Sequence, residues 1–384
     1  MALVGSGLAG VGVAGAAEAD VARSASRAAA RRALGLPPVQ VSWDRVLRTT
    51  VGLRPHRDSG FVLRAESLGD KTLVHNYGHG GAGMSLGWGC GALAADLALF
   101  DGSRRAAVIG CGSPGLTAAR QLQHRGFDVT IYAVTVPPDT TSNMSLATFT
   151  PASGLIAADR RTPAWDAQFA RAAGISYLHL QSMVGPSYGV SWIDNYVATS
   201  DPAPLPPNPD EAGLLPDAGR SNREVLGPGD HPFPTRYAVR TPSLRIDPAI
   251  YLATLVREFT DAGSAIVIRR FESASELLSL PEPIVVNCTG LGSRTLFGDD
   301  ELVPVKGQLT ILAPQPEITY RAATRASSTG REPLNGATVG MTPRSDGIVL
   351  GNLQERGNWS LEPDEAVRQR VVGGAMEFFA AMKG

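Results

Sequence analysis

Three cysteines in 384 residues, Cys90, Cys111 and Cys288, are too few and too scattered for a disulfide framework. No C-x-x-C pair offers a zinc site either, so all three read as small buried residues. Charge of one sign is missing: 35 Lys and Arg against 36 Asp and Glu leave a net charge of −1. That balance gives no electrostatic case for nucleic acid or an anionic membrane as a partner. Past the N-terminal stretch no run approaches the roughly 20 apolar residues that a membrane span needs. There is no internal repeat. With 43% hydrophobic and 18% charged residues, the chain suits a globular protein of roughly two domains. Glycine (43) and proline (28) are plentiful and call for many turns and loops.

The most informative stretch lies about a hundred residues into the chain. Ala106-Ala107-Val108-Ile109 reads as a strand and feeds Gly110-Cys111-Gly112-Ser113-Pro114-Gly115, a G-x-G-x-x-G turn. An alanine-rich helical pattern follows, then a second strand at Val129-Thr130-Ile131-Tyr132. Strand, glycine turn, helix and strand make a dinucleotide-binding βαβ unit. Gly110 permits the tight turn, Gly112 lets the backbone approach a pyrophosphate, and Gly115 lets helix and strand pack closely. The helix N-terminus offers free N–H groups and a positive dipole end to the phosphates.

Residues 1–40 differ from the rest. Gly5-x-Gly7-x-x-Gly10 repeats the glycine spacing, but only four residues precede it, too few for a strand. Met1 to Ala17 is similar to a signal h-region without a basic n-region, and Arg23 to Arg32 is similar to a transit segment. A disordered or helical extension is the alternative, so both cytoplasmic and exported locations stay open. Val41 to Arg57 reads as a strand into a turn, and Phe61–Leu68 with Thr72–His75 as a hairpin. His75-Asn76-Tyr77-Gly78-His79-Gly80-Gly81-Ala82-Gly83-Met84-Ser85 is a glycine-dense loop ahead of a helix expected from about Gly89 to Leu99. Such a loop can present backbone N–H groups to an anion or a ring carbonyl. Phe100 to Arg105 reads as a linker. Asp201 to Gly229 reads as a surface excursion, Pro248–Asp261 as a helix capped by Asp247, and Ile284–Asn287 as a buried parallel strand. Three later strands and a final helix from Glu365 to Met382 suggest a second, more antiparallel layer.

Together these stretches resemble the D-amino-acid oxidase family of flavoproteins. Gly52-Leu53-Arg54-Pro55-x-Arg57 is similar to its substrate-carboxylate segment, and His75 to Gly83 to its flavin loop. Val286-Asn287-Cys288-Thr289-Gly290, Gly307-Gln308 and Gly351-Asn352-Leu353-Gln354-x-x-Gly357-Asn358-Trp359-Ser360 are similar to its later turn, strand and C-terminal signature. The order differs. In the family the glycine fingerprint comes first and the arginine and H-N-Y-G-H-G-G segments come last; here the last two stand at residues 51–99, ahead of it. The expectation is a circular permutation joined at 100–105. Chain ends lie at protein surfaces, where such an exchange leaves core contacts in place.

The resemblance implies an α/β fold. A Rossmann-like FAD-binding domain (53–155 and 241–303) would join a mixed or antiparallel-sheet substrate domain (41–52, 156–240 and 304–384), with 1–40 as a leader or disordered extension. It implies FAD as cofactor, bound by Gly110, Gly112, Ser113, Pro114, Gly115, Thr140, Thr141, Ser142, Gly80, Gly83, Met84, Ser85, Thr289 and Gly290. It implies Arg54 as carboxylate anchor, for which a guanidinium fork is well suited, and a carbonyl near Gly81 as acceptor for the substrate amine. His75 and His79 are tempting bases. Hydride transfer from a neutral amine needs none, so both read as packing or hydrogen-bonding residues.

Three positions depart from the family. Val134 stands where an acid would bind the ribose hydroxyls. Gly336 and Gly340 stand where two tyrosines reach the substrate. Thr150 stands where an amide is common. The implied activity is oxidative deamination of a D-amino acid or related amine-acid, with flavin reoxidised by dioxygen to give peroxide. The alternatives are a dehydrogenase or oxidase for another amine, and a flavin-binding protein without turnover. The expected partner is a small molecule bearing a carboxylate; a homodimer stays open.

Overall fold

The computed structural model describes residues 34–146, 148–203, 213–214, 222–324, 339–351 and 354–383. Most of the expected leader, most of the 201–229 excursion, and Gly336 lie outside these residues. In chain order the strands are β1 (Val46–His56), β2 (Val62–Leu68), β3 (Lys71–Tyr77), β4 (Arg105–Ile109), β5 (Asp128–Ala133), β6 (Val190–Thr199), β7 (Glu224–Leu226), β8 (Tyr237–Ile246), β9 (Ala265–Ile268), β10 (Ile284–Asn287), β11 (Val303–Leu312), β12 (Tyr320–Thr324), β13 (Gly340–Arg344), β14 (Gly347–Gly351) and β15 (Glu355–Arg356). The helices are α1 (Gly83–Ala98), α2 (Ser113–Gln123), α3 (Pro163–Ser182), α4 (Pro248–Asp261), α5 (Gly292–Phe297) and α6 (Glu365–Ala380).

Two sheets result. The first runs β2-β3-β10-β4-β5-β9 and is parallel apart from its antiparallel edge β2. Its centre, β10, is buried along its whole length, as the apolar Ile284-Val285-Val286 predicts for a strand covered on both faces. The second runs β1-β11-β14-β13-β12-β6-β8-β7, with β15 on β11, and only its β12–β6 pairing is parallel. One face of this sheet packs under α6, where Tyr320, Met341, Ile348, Leu350 and Phe378 form a core. On the other face, Leu309, Ile311 and Val349 meet Leu146, from the loop after β5. The loop after β5 thus packs against the second sheet.

The helix expected from Gly89 begins six residues earlier, at Gly83. Glycines inside it are helix-weakening by propensity, and packing decides otherwise. A Cβ on Gly89 would lie 1.9 Å from the Ala172 carbonyl oxygen of α3, and one on Gly91 would lie 2.9 Å from the Ala118 nitrogen of α2. Bare backbone lets three helices approach closely. With the turn after it, α1 spans Gly83–Asp101 and is long and apolar enough to cross a membrane by length and composition, contrary to the sequence expectation. Most of it is buried inside the protein, so it is a core helix here.

Three observations bear on the expected domain limits. A boundary at 52/53 would cut β1, which is continuous from Val46 to His56 against β11. One at 240/241 would cut β8, paired with β6 along its length. Phe169, Ala172 and Leu180 of α3, a helix expected in the substrate domain, sit in the core shared with α1 and α2.

Candidate functional site

The carboxyl ends of β4, β5 and β10 open onto a cavity of about 440 Å³. Gly110 closes the turn after β4 at φ +117°, and its N–H donates to the Tyr132 carbonyl at 2.7 Å. A Cβ there would stand 2.5 Å from the Cys288 carbonyl oxygen, so only glycine fits. A Cβ on Gly115 would stand 2.0 Å from the Gly110 carbonyl oxygen, the close helix–strand packing expected of the third glycine. Gly112 faces the cavity, with only Ser142 Oγ near.

The loop after β5 folds over this turn. Ser142 Oγ accepts the Ser113 N–H at 2.9 Å, and Thr140 Oγ1 donates to Asn143 Oδ1 at 2.8 Å. The Gly52–Gly307 pair of β1 and β11 makes room for the loop: a Cβ on Gly52 would lie 2.8 Å from Met144 Cβ.

The far wall carries Arg54, on β1 opposite Val305. Burial lowers its pKa, and among the described residues no carboxylate pairs with it. Its neighbours are satisfied otherwise. Arg57 binds Asp299 at 2.8 Å and Glu301 at 2.7 Å, and His56 meets Asp58 at 3.2 Å. Gly81 lies against Arg54, and Gly80, Gly83 and Met84 line the same wall.

Of the expected site residues, Arg54, Gly81, Gly80, Gly83, Met84, Gly110, Gly112, Pro114, Thr140, Thr141, Ser142, Thr289 and Gly290 line one cavity. Ser85, Ser113 and Gly115 do not. Ser85 accepts the Thr150 N–H at 2.9 Å and donates to the Thr148 carbonyl at 3.3 Å, which ties down that loop. Ser113 is fully buried and donates to the Gly83 carbonyl at 3.2 Å. Gly115 acts by packing. Thr150 is likewise held by backbone contacts outside the cavity.

Both histidines are buried. His75 hydrogen-bonds Glu66 and Asn287, both at 3.0 Å, and burial lowers its pKa. His79 is buried against Phe61, and desolvation brings its pKa down to about 4. Burial also pushes the Cys111 and Cys288 thiols up to about 12.

Sequence reasoning missed one end of the cavity: Arg269, Arg270, Phe271 and Glu272, beside Val134 and Thr135. The available signal was topological. β9 lies parallel to β5, so the residues after both strands reach the same edge.

The lining fits FAD. It combines a glycine cradle at a helix N-terminus with two buried polar atoms that lack a protein partner, Asn76 Oδ1 and His79 Nε2. Gly110 and Gly112 with the α2 N-terminus would hold the pyrophosphate, and the 80–84 and 140–142 segments the ring end.

Comparison with known proteins agrees. A family profile described as FAD-dependent oxidoreductase (DAO) matches residues 3–97 and 105–383. The chain is 29% identical over 269 residues to a D-amino-acid oxidase of Rubrobacter xylanophilus, covering 70% of this chain and 75% of that protein. It is 27% identical over 279 residues to a D-amino acid oxidase of Dugesia ryukyuensis, with the same 70% and 75% coverage. Among solved structures, glycine oxidase from Bacillus cereus aligns at a TM-score of 0.49 and 15% identity, over 73% of this chain and 79% of that one.

Proposed function

This chain belongs to the FAD-dependent oxidoreductase family, and on that footing we propose that it converts a D-amino acid or related amine-acid to the imino acid, with the substrate carboxylate held by Arg54. Bound FAD would supply the two-electron acceptor for the substrate Cα hydride, with dioxygen as its reoxidant and peroxide as the product. The chain binds and orients. Arg54 offers a planar fork to the carboxylate, and its burial strengthens that pairing. The Gly81 carbonyl accepts a hydrogen bond from the neutral amine. Neither His75 nor His79 is needed as a base, and their burial keeps them neutral.

The observation that carries this reading is Arg54 itself: a guanidinium on the cavity wall whose charge no described carboxylate offsets. Such a group calls for an anionic ligand. The names of the relatives support the same substrate class. Anaerobic mixing of the flavin-loaded protein with D- and L-amino acids tests it. Bleaching of the flavin by D-enantiomers alone is the expected result; no bleaching by either set defeats the proposal.

Gly340 favours one refinement. It pairs with Ala323 of β12 and stands where the resemblance places a tyrosine in the family. A glycine in place of that tyrosine favours substrates with longer side chains. Chain order is a circular permutation in this reading.

A further inference from the structure

We propose that Glu272 binds the ribose diol of the FAD adenosine, taking the place of the acid that the end of β5 lacks. The inference rests on the FAD assignment and concerns this chain's own residues. Val134, the residue after β5, is apolar and half exposed and cannot accept a hydrogen bond from a sugar hydroxyl. The neighbouring strand supplies what is missing. β9 pairs in parallel with β5, Ala133 opposite Ile268, and the Arg269 N–H donates to the Ala133 carbonyl at 2.9 Å. The chain after β9 therefore leaves the sheet at the same edge as Val134.

Residues 269–272 line the cavity together with Val134 and Thr135, and Glu272 is the only carboxylate among the described lining residues. Its backbone is fixed. The Glu272 N–H donates to Glu276 Oε1 at 3.2 Å, and the preceding Phe271 is buried edge-on to Tyr132 with Arg269 over its other side. Its carboxylate is comparatively free, with Arg270 Nε 3.9 Å away in a solvent-exposed pair. A carboxylate accepts two hydrogen bonds side by side, which matches two vicinal hydroxyls. Thr135, with one hydroxyl, is the competing candidate at this end.

The experiment compares FAD with FMN, which lacks the adenosine. Full-length wild type, Glu272→Ala, Glu272→Gln and Thr135→Val are stripped of flavin and titrated with each cofactor by fluorescence quenching. Glu272→Ala should weaken FAD about ten- to a hundredfold, the range for a charge-assisted hydrogen bond. FMN affinity should stay within about twofold, and Glu272→Gln should fall between. Adding Val134→Asp to Glu272→Ala should recover most of the loss, because it restores an acid at the end of β5. Unchanged FAD affinity in Glu272→Ala overturns the assignment. So does an equal loss for FMN, or a loss confined to Thr135→Val.

Discussion

Gly81 leaves room for one methyl beside Arg54 on the cavity wall: a Cβ on Gly81 would stand 3.4 Å from Arg54 Cδ and 3.7 Å from its Nε. The glycine loop thus lies beside the side chain proposed as the carboxylate anchor. Arg54→Lys keeps the charge but loses the fork, and should cost about 2–3 kcal/mol in kcat/KM, mostly as a raised KM. Gly81→Val should act through the same guanidinium, raising KM with flavin content unchanged. Steady-state kinetics with a reactive D-amino acid check both, and unaltered kinetics in Arg54→Lys would remove it as the anchor.

The pyrophosphate turn makes a sharper distinction between two glycines. At Gly110 an added Cβ meets backbone at 2.5 Å and the φ is +117°, so Gly110→Ala should abolish flavin retention and lower the melting temperature. At Gly112 the nearest atom is the movable Ser142 Oγ at 3.1 Å, so Gly112→Ala should fold normally and lose only part of its FAD affinity. Flavin absorbance per protein and thermal melts with added FAD measure the two effects separately.

Much of this site was legible because its parts are local. The spacing of Gly110, Gly112 and Gly115 between two apolar runs encodes a turn, and Arg54 and the 75–85 loop carry recognisable neighbours. Two kinds of feature were not legible. One is which polar residue faces inward: Ser85 and Ser113 belong to matching motifs, but their hydroxyls are taken up by backbone groups of Thr148, Thr150 and Gly83. The other is long-range strand order. Nothing near residue 272 reveals that β9 lies beside β5, and the helix at 83–98 looks glycine-broken until α2 and α3 are packed against it.

Acid should destabilise the protein through His79. Its folded pKa is held near 4 by burial, while the unfolded chain titrates near 6.5. As pH falls the unfolded state takes up this proton first. The stabilisation is therefore complete above about 6.5 and is lost as pH falls toward about 4, on the order of 3 kcal/mol in all. Asp58 and Glu66, whose carboxyls are lowered chiefly by hydrogen bonds to Arg356 and His75, add slope of the same sign at lower pH. Urea denaturation of wild type and His79→Gln from pH 7.5 to 4.5 isolates the histidine. The difference between the two should shrink as pH falls, and a constant difference would show that His79 does not titrate in this way.

The chain order invites a rearranged protein. The two ends of the described chain are fixed to one short segment: the Leu34 N–H donates to the Asp230 carbonyl at 3.3 Å, and the Lys383 N–H to the Pro232 carbonyl at 2.9 Å. Tyr320 links them further, its hydroxyl donating to the Pro37 carbonyl at 2.8 Å and touching Met382 Sδ at 4.0 Å. The present junction is light by comparison, a turn at Leu99–Asp101 and an open Gly102 at φ +83° between α1 and β4. A chain that starts at Arg104, runs to Lys383, crosses a Gly/Ser linker of roughly eight residues and ends with residues 34–101 keeps every strand pairing described above. It should fold, bind FAD and melt within a few degrees of the parent. If 98–104 were instead a folding requirement, the rearranged chain would be colourless and unfolded by circular dichroism. That outcome would count against a circular permutation between two interchangeable orders.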